Sequence, residues 1–235
     1  MNPWDDPRIA RGMRAQLAGR RERLVAADAP LGWKVGFGAP PAMAMLRIDA
    51  PLVGFLTRSR LLEPGATASL AGFIKPVAEP EIAVHMGTDL PGGGDLAAAA
   101  AAIGALGPAI ELADLNPPPD DVEVILAGNI YHRHVLLGPR DGSRAGCKLD
   151  GLTGRVFRRG AEAARTSDPQ ANTGKLVNIV RHVADVLAAF GERLRAGEVI
   201  ITGSIVAPLF IEPDEDGVAY ELDPIGGVSV RFARG

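Results

Sequence analysis

One cysteine, Cys147, is too few for an internal disulfide, and a reducing compartment is the simpler expectation. Positive charge is not in excess: 25 basic against 28 acidic residues leave a formal charge of -3, which argues against a nucleic-acid-binding surface. Long apolar runs are missing too. The longest, residues 96–106, is mostly alanine and too short to span a bilayer, so no membrane partner is expected. The opening MNPWDDPR is charged and lacks the apolar stretch of a secretory signal. No repeat, low-complexity tail or interdomain linker interrupts the chain. What is present is 235 residues, 47% of them hydrophobic, enough to bury one full core. A single cytoplasmic domain spanning 1–235 is expected, with residues 1–30 a helical segment packing on it.

Two glycine-containing stretches invite a phosphate-binding reading and fail it. Residues 169–176, PQANTGKL, end like a P-loop but carry proline at the first glycine and leucine at the final Ser/Thr. PGGGD at 91–95 reads as a loop leading into a helix cap.

The pattern predicts many short strands and few helices. Ile9, Met13, Leu17 and Leu24 recur at helical spacing, as do Leu176, Ile179, Val180, Val183, Val186, Leu187 and Phe190. Asn172 or Thr173 is the expected cap of this second helix, and Gly191 its end. Shorter helices are expected at 40–47, 95–104 and 122–126. Strands are expected at 32–37, 51–57, 67–70, 73–86, 107–113, 135–137, 198–203, 208–211, 217–222 and 227–232. A hairpin is predicted to turn at Asp150-Gly151 between 145–149 and 153–158. The sum is an α+β fold with a mostly antiparallel, curved sheet.

The chemistry-bearing feature is Glu79-Pro80-Glu81, followed thirty residues later by Glu111. Side chains two apart on a strand share a face, so Glu79 and Glu81 point together. Both sites lie in apolar, strand-forming sequence, VAEPEIAV and GPAIELA. Carboxylates are costly to bury unless paired or metal-bound, so three of them on core-like strands suggest hard oxygen ligands for Mg2+ or Mn2+. The alternative is that each faces solvent or pairs with an arginine or lysine.

Read together, GWKVG at 32–36, EPEIAV at 79–84, AIELAD at 109–114, GEVIITGS at 197–204 and IGGVSVRF at 225–232 resemble the 2-oxopent-4-enoate hydratase / 2-oxo-3-hexenedioate decarboxylase family of the fumarylacetoacetate hydrolase superfamily. The resemblance implies a fold like the fumarylacetoacetate hydrolase C-terminal domain: a rolled, mostly antiparallel sheet with a few flanking helices. It implies Mg2+ or Mn2+ on Glu79, Glu81 and Glu111, Lys34 as the catalytic lysine, and Ser204 and Asn129 as substrate-binding residues. It also implies a small 2-oxo acid as the partner, and self-association into a homo-oligomer.

The chain departs from the family pattern in places. Pro51-Leu52-Val53-Gly54 stands where the family has Pro-Asp-aromatic-Gly, so the acid/base aspartate is replaced by leucine; Asp49, three residues earlier, points in a different direction and is not expected to substitute. Residues 36–39, GFGA, lack the hydroxyls that often follow the lysine block. Residues 128–134, GNIYHRH, are bulkier than the family's small polar stretch. His132 or Tyr131 is then a candidate acid or base; otherwise His132 and His134 sit on a loop facing solvent or another subunit.

The function expected is a metal-dependent hydro-lyase acting on a 2-hydroxy- or 2-oxo-alkenoate from aromatic catabolism. Decarboxylation of a 2-oxo-enedioate and hydrolysis of an acylpyruvate are the alternatives. A non-catalytic binding or partner subunit is the alternative of a different class.

Overall fold

A computed structural model describes residues 2–234. In chain order the elements are α1 (Pro7–Val25), β1 (Pro30–Gly36), α2 (Pro40–Leu46), β2 (Leu52–Thr57), β3 (Leu61–Leu62), β4 (Thr67–Ser69) and β5 (Pro76–Met86). Next come α3 (Leu96–Ala102), β6 (Ile103–Asp114), α4 (Val122–Ala127), β7 (His132–Leu137), β8 (Thr153–Arg158) and β9 (Ala161–Thr166). The chain closes with α5 (Leu176–Ala189), β10 (Val199–Ser204), β11 (Leu209–Phe210), β12 (Gly217–Asp223) and β13 (Gly226–Ala233). No helix among the described residues is long and apolar enough to cross a membrane.

Two sheets result, both mostly antiparallel as expected. The larger runs β2-β1-β10-β5-β6-β7-β3, with β11 also on β5; the smaller runs β4-β13-β12-β8-β9. β5 and β6 are the longest strands and lie side by side at the centre of the larger sheet, and their apolar sequence matches near-complete burial on both faces. The main apolar core continues from α1 through both sheets to β13. A smaller apolar cluster, including Leu56, Ala83, Ala109, Val135 and Ile201, is formed by side chains of the larger sheet. Three pairings are parallel, among them β1 with β10.

Helix α5 buries the predicted apolar stripe, and Gly191 follows its end with φ +76°. Its start differs from expectation: Lys175 is the cap position, and the Gln170 side chain, not Asn172 or Thr173, accepts from Leu176 N at 2.8 Å. The predicted hairpin at Asp150-Gly151 is also corrected. The Arg144 guanidinium donates to the Asp150 carbonyl at 2.7 Å and holds the preceding segment as a loop. The strand 153–158 instead turns back at Arg159-Gly160, both with positive φ, and pairs with β9. β9 is largely exposed and built on alanines, so it carries no apolar alternation by which a sequence reading finds a strand.

Candidate metal centre

The register of the central strands builds the site. Glu79 on β5 lies directly opposite Glu111 on β6, and Glu81 lies opposite Ser204 on β10. Like charges directly across a strand pair are destabilising unless something of opposite sign joins them. Lys34 comes from β1, on the far side of β10. Its Nζ donates to Glu111 Oε1 at 2.5 Å and to the Ile130 carbonyl at 3.1 Å. Its stem fits because residue 54 is glycine: a Cβ there would stand 2.9 Å from Lys34 Cγ. His132 adds a second bond to the same Glu111 oxygen, Nδ1 to Oε1 at 2.7 Å. On the other flank, the β10 ladder shifts register after Ile201, and Gly203 adopts φ +90°. That left-handed conformation favours glycine, and here it sends the Gly203 N–H to Glu81 Oε2 at 2.5 Å.

One ligand oxygen from each of Glu79, Glu81 and Glu111 lies within 4.8 Å of the others. Glu81 Oε1 and Glu111 Oε2 are buried without any hydrogen-bond partner. Unpaired buried carboxylate oxygens are too costly to be incidental. An all-carboxylate donor set suits a hard divalent cation such as Mg2+ or Mn2+. The residues therefore fit the ion.

Electrostatics agree. Burial, followed by repulsion from Glu111, raises the Glu79 carboxyl to about 7, and the same causes, with Glu79 added, push Glu81 well above the ordinary range. Burial also pushes Glu111 upward, but Lys34 and His132 outweigh it and hold that carboxyl below its usual value. Without a cation, Glu79 and Glu81 retain protons that an incoming ion must displace. Mg2+ affinity should therefore climb as pH rises toward about 7, by up to about tenfold per pH unit for each proton released, and level off once the carboxyls are ionised. Calorimetric titration in buffers of different ionisation enthalpy checks both the slope and the proton release. Affinity independent of pH would count against the site.

Beside the triad is a cavity of about 300 Å³. Its walls are largely apolar, with Val35, Phe37, Ala39, Pro51, Leu115 and Ile130 among them, while Lys34, Glu79, Tyr131, Thr173 and Ser204 supply polar groups. Tyr131 is reached through an unusual backbone: Asn129, Ile130 and Tyr131 have φ of 56°, 51° and 63°. Left-handed φ is unfavourable for non-glycine residues, most of all a β-branched one. The turn is held by Ile130 N to the Ile125 carbonyl and by the Asn129 amide, which bonds both Phe55 N and Phe55 O at 2.8 and 2.9 Å.

Several expectations are revised by this placement. Asn129, expected at the substrate, bonds the β2 backbone through its amide and is not among the residues lining the cavity. His132 is neither on a loop nor facing solvent: it starts β7, and its side chain is 3% exposed. Burial lowers its pKa, and it faces Glu111 instead of the cavity. Leu52 is buried in the core, while Asp49 is exposed and takes no part. Ser204 lines the cavity, its hydroxyl directed to the Pro80 carbonyl at 3.4 Å. Asn172 and Thr173 also line the cavity, although helical periodicity suggested only a capping role for them. The one available signal was their place in a polar loop just before α5.

No protein-family model matches the chain. Among solved structures it is similar to 4-oxalocrotonate decarboxylase from Pseudomonas putida complexed with magnesium and adipate, at a TM-score of 0.87 and 25% identity over 96% of this chain and 86% of that one. Fumarylpyruvate hydrolase from Pseudomonas aeruginosa, in complex with Mn2+ and pyruvate, shares the fold alone at a TM-score of 0.70 and 15% identity, covering 88% and 91% of the two chains. The architecture is that of the fumarylacetoacetate hydrolase superfamily. In sequence the chain is 31% identical over 220 residues to 2-hydroxyhexa-2,4-dienoate hydratase of Comamonas testosteroni, covering 90% of this chain and 81% of that protein. It is 26% identical over 234 residues to 4-oxalocrotonate decarboxylase of Pseudomonas putida, covering 98% and 88%. The chain belongs to the 2-keto-4-pentenoate hydratase and 4-oxalocrotonate decarboxylase family.

Proposed function

We propose that the protein is a Mg2+-dependent hydratase of a short 2-hydroxy-2,4-dienoate or 2-oxo-alkenoate with one acid group and an apolar tail. The observation that carries this is the carboxylate triad, with two unpartnered oxygens, beside a cavity whose lining contains a single cation, Lys34. Glu79, Glu81 and Glu111 would hold the divalent ion, which would supply Lewis acidity where negative charge develops during hydration. Lys34 meets the acid group or relays a proton. Tyr131 lines the cavity with its hydroxyl unpartnered. Burial raises its pKa to about 12, so near neutral pH the phenol keeps its proton and offers the substrate a hydrogen-bond donor. Protonation of the dienol at its terminal carbon gives the conjugated 2-oxo-3-enoate. Water then adds at C4 and a proton at C3. His132 orients Glu111, and Ser204 shapes the wall near Glu81. The lone half-buried thiol fits a cytoplasmic setting, and exposed Ile74 and Phe210 fit self-association.

Decarboxylation of a 2-oxo-3-hexenedioate is the runner-up, favoured by the similarity to the adipate-bound enzyme. Its second carboxylate would meet the apolar wall with no further cation to receive it, and burying an unpaired charge is costly. Ultraviolet assays separate the readings. The expected result is Mg2+-dependent loss of 2-hydroxypenta-2,4-dienoate absorbance, abolished by EDTA, with kcat/KM for the diacid lower by at least about tenfold. Faster turnover of the diacid favours the decarboxylase. No turnover of either, with tight Mg2+ binding, favours a non-catalytic binding subunit.

A further inference from the structure

The geometry points to Thr173 as a substrate-binding residue whose hydroxyl donates to the acid group of the 2-oxo acid, a role that rests on the functional reading above. Four hydroxyl side chains line the cavity: Tyr131, Thr173, Thr202 and Ser204. Thr202 donates to the Ile82 carbonyl at 3.0 Å, and Ser204 to the Pro80 carbonyl at 3.4 Å. Thr173 Oγ1 and the Tyr131 hydroxyl are buried and have no partner. A buried hydroxyl left without a partner costs free energy that a bound ligand recovers.

Position favours the acid end of the ligand for Thr173. Its methyl lies 3.2 Å from where a Cβ on Gly203 would stand, and the Gly203 N–H holds Glu81. The Thr173 side chain therefore packs beside the backbone segment that clamps Glu81. The adjoining wall, residues 36–39, has no hydroxyl of its own. Lys34 cannot satisfy a carboxylate alone. It has three N–H donors, and Glu111 and the Ile130 carbonyl already take two of them. A second donor is needed.

The loop is built to hold Thr173 in place. Asn172 Nδ2 donates to the Ser204 carbonyl at 2.7 Å, Gly174 N to the Gln170 carbonyl at 2.8 Å, and Gln170 accepts from Leu176 N. Fixing a donor before the ligand arrives lowers the entropy cost of binding.

The test is calorimetric binding of 2-oxopentanoate, which has no double bond to hydrate, to Mg2+-saturated protein. Thr173→Val keeps the methyl packing on Gly203 and removes the donor. It should weaken binding roughly tenfold and raise KM for the dienoate more than it lowers kcat. Thr173→Ser should recover most of the affinity, and Mg2+ affinity should be the same in all three proteins. Equal 2-oxopentanoate affinity in the valine variant overturns the assignment. So does a serine variant as weak as the valine one, or a loss of Mg2+ affinity, since either marks a packing role. If the unsubstituted protein binds Mg2+ but not 2-oxopentanoate, the functional reading itself fails and this inference with it.

Discussion

Glu81→Gln should abolish stabilisation by Mg2+ while raising the melting temperature of the metal-free protein above neutral pH. The two effects share one cause. Glu81 is fully buried and its carboxyl is pushed well above the ordinary range, first by burial and then by Glu111 and Glu79. Between the ordinary carboxylate range and that raised value, the folded protein keeps a proton that the unfolded chain releases, so stability falls as pH rises. Above it both states are ionised, and the full cost of the buried charge is present and constant. Glutamine keeps an oxygen for the Gly203 N–H but never ionises. The same substitution removes a ligand and one negative charge from the cation site. Loss of outer-shell partners alone costs metal sites about 10–100-fold in affinity, and loss of a direct ligand should exceed about 100-fold. Thermal melts of both proteins with and without Mg2+ read both effects. Intact Mg2+ stabilisation in the variant would sink the ligand assignment.

Lys34→Met should lower kcat/KM by about two to four orders of magnitude and destabilise the metal-free protein by roughly 3 kcal/mol. The side chains of Lys34 and Glu111 are 2% and 1% exposed and meet at 2.5 Å, so removing the lysine leaves a buried carboxylate with only a histidine beside it. Breaking one half of such a pair is far more damaging than replacing both. The double variant Lys34→Met, Glu111→Gln should therefore regain much of the stability and none of the activity. The recovery assigns the single variant's instability to the orphaned carboxylate, while the inactivity of the double variant follows from loss of the Glu111 ligand as well. A Lys34→Met protein with ordinary turnover would remove it from the chemistry.

Much of this site was legible because strands impose a period of two. Glu79 and Glu81 had to share a face, and the apolar sequence around them and around Glu111 marked their strands as interior. The apolar stripe of α5 was equally plain. What could not be read came from contacts between distant segments. Nothing local announces that Asn129, Ile130 and Tyr131 turn left-handed in succession, since ties to Phe55 and Ile125 impose it. His132 looked like a loop histidine because its partner, Glu111, is reached only when β7 docks on β6. β9 escaped notice because its exposed alanines carry no periodic signal. Thr173 was hidden for a different reason: its residue type suits a helix cap, and only the fold turns it toward the cavity.

The parallel pairing of β1 with β10 sets Lys34 beside Ile201, with most of the chain threaded between them. Contacts of such long sequence separation form slowly, because the loop entropy is lost before the contact rewards it. The clamp from Gly203 to Glu81 waits on the same event. A chain emerging from the ribosome thus has no finished cradle for the ion until its last fifth is free. Metal uptake is thereby coupled to the docking of β10 against β1 and β5.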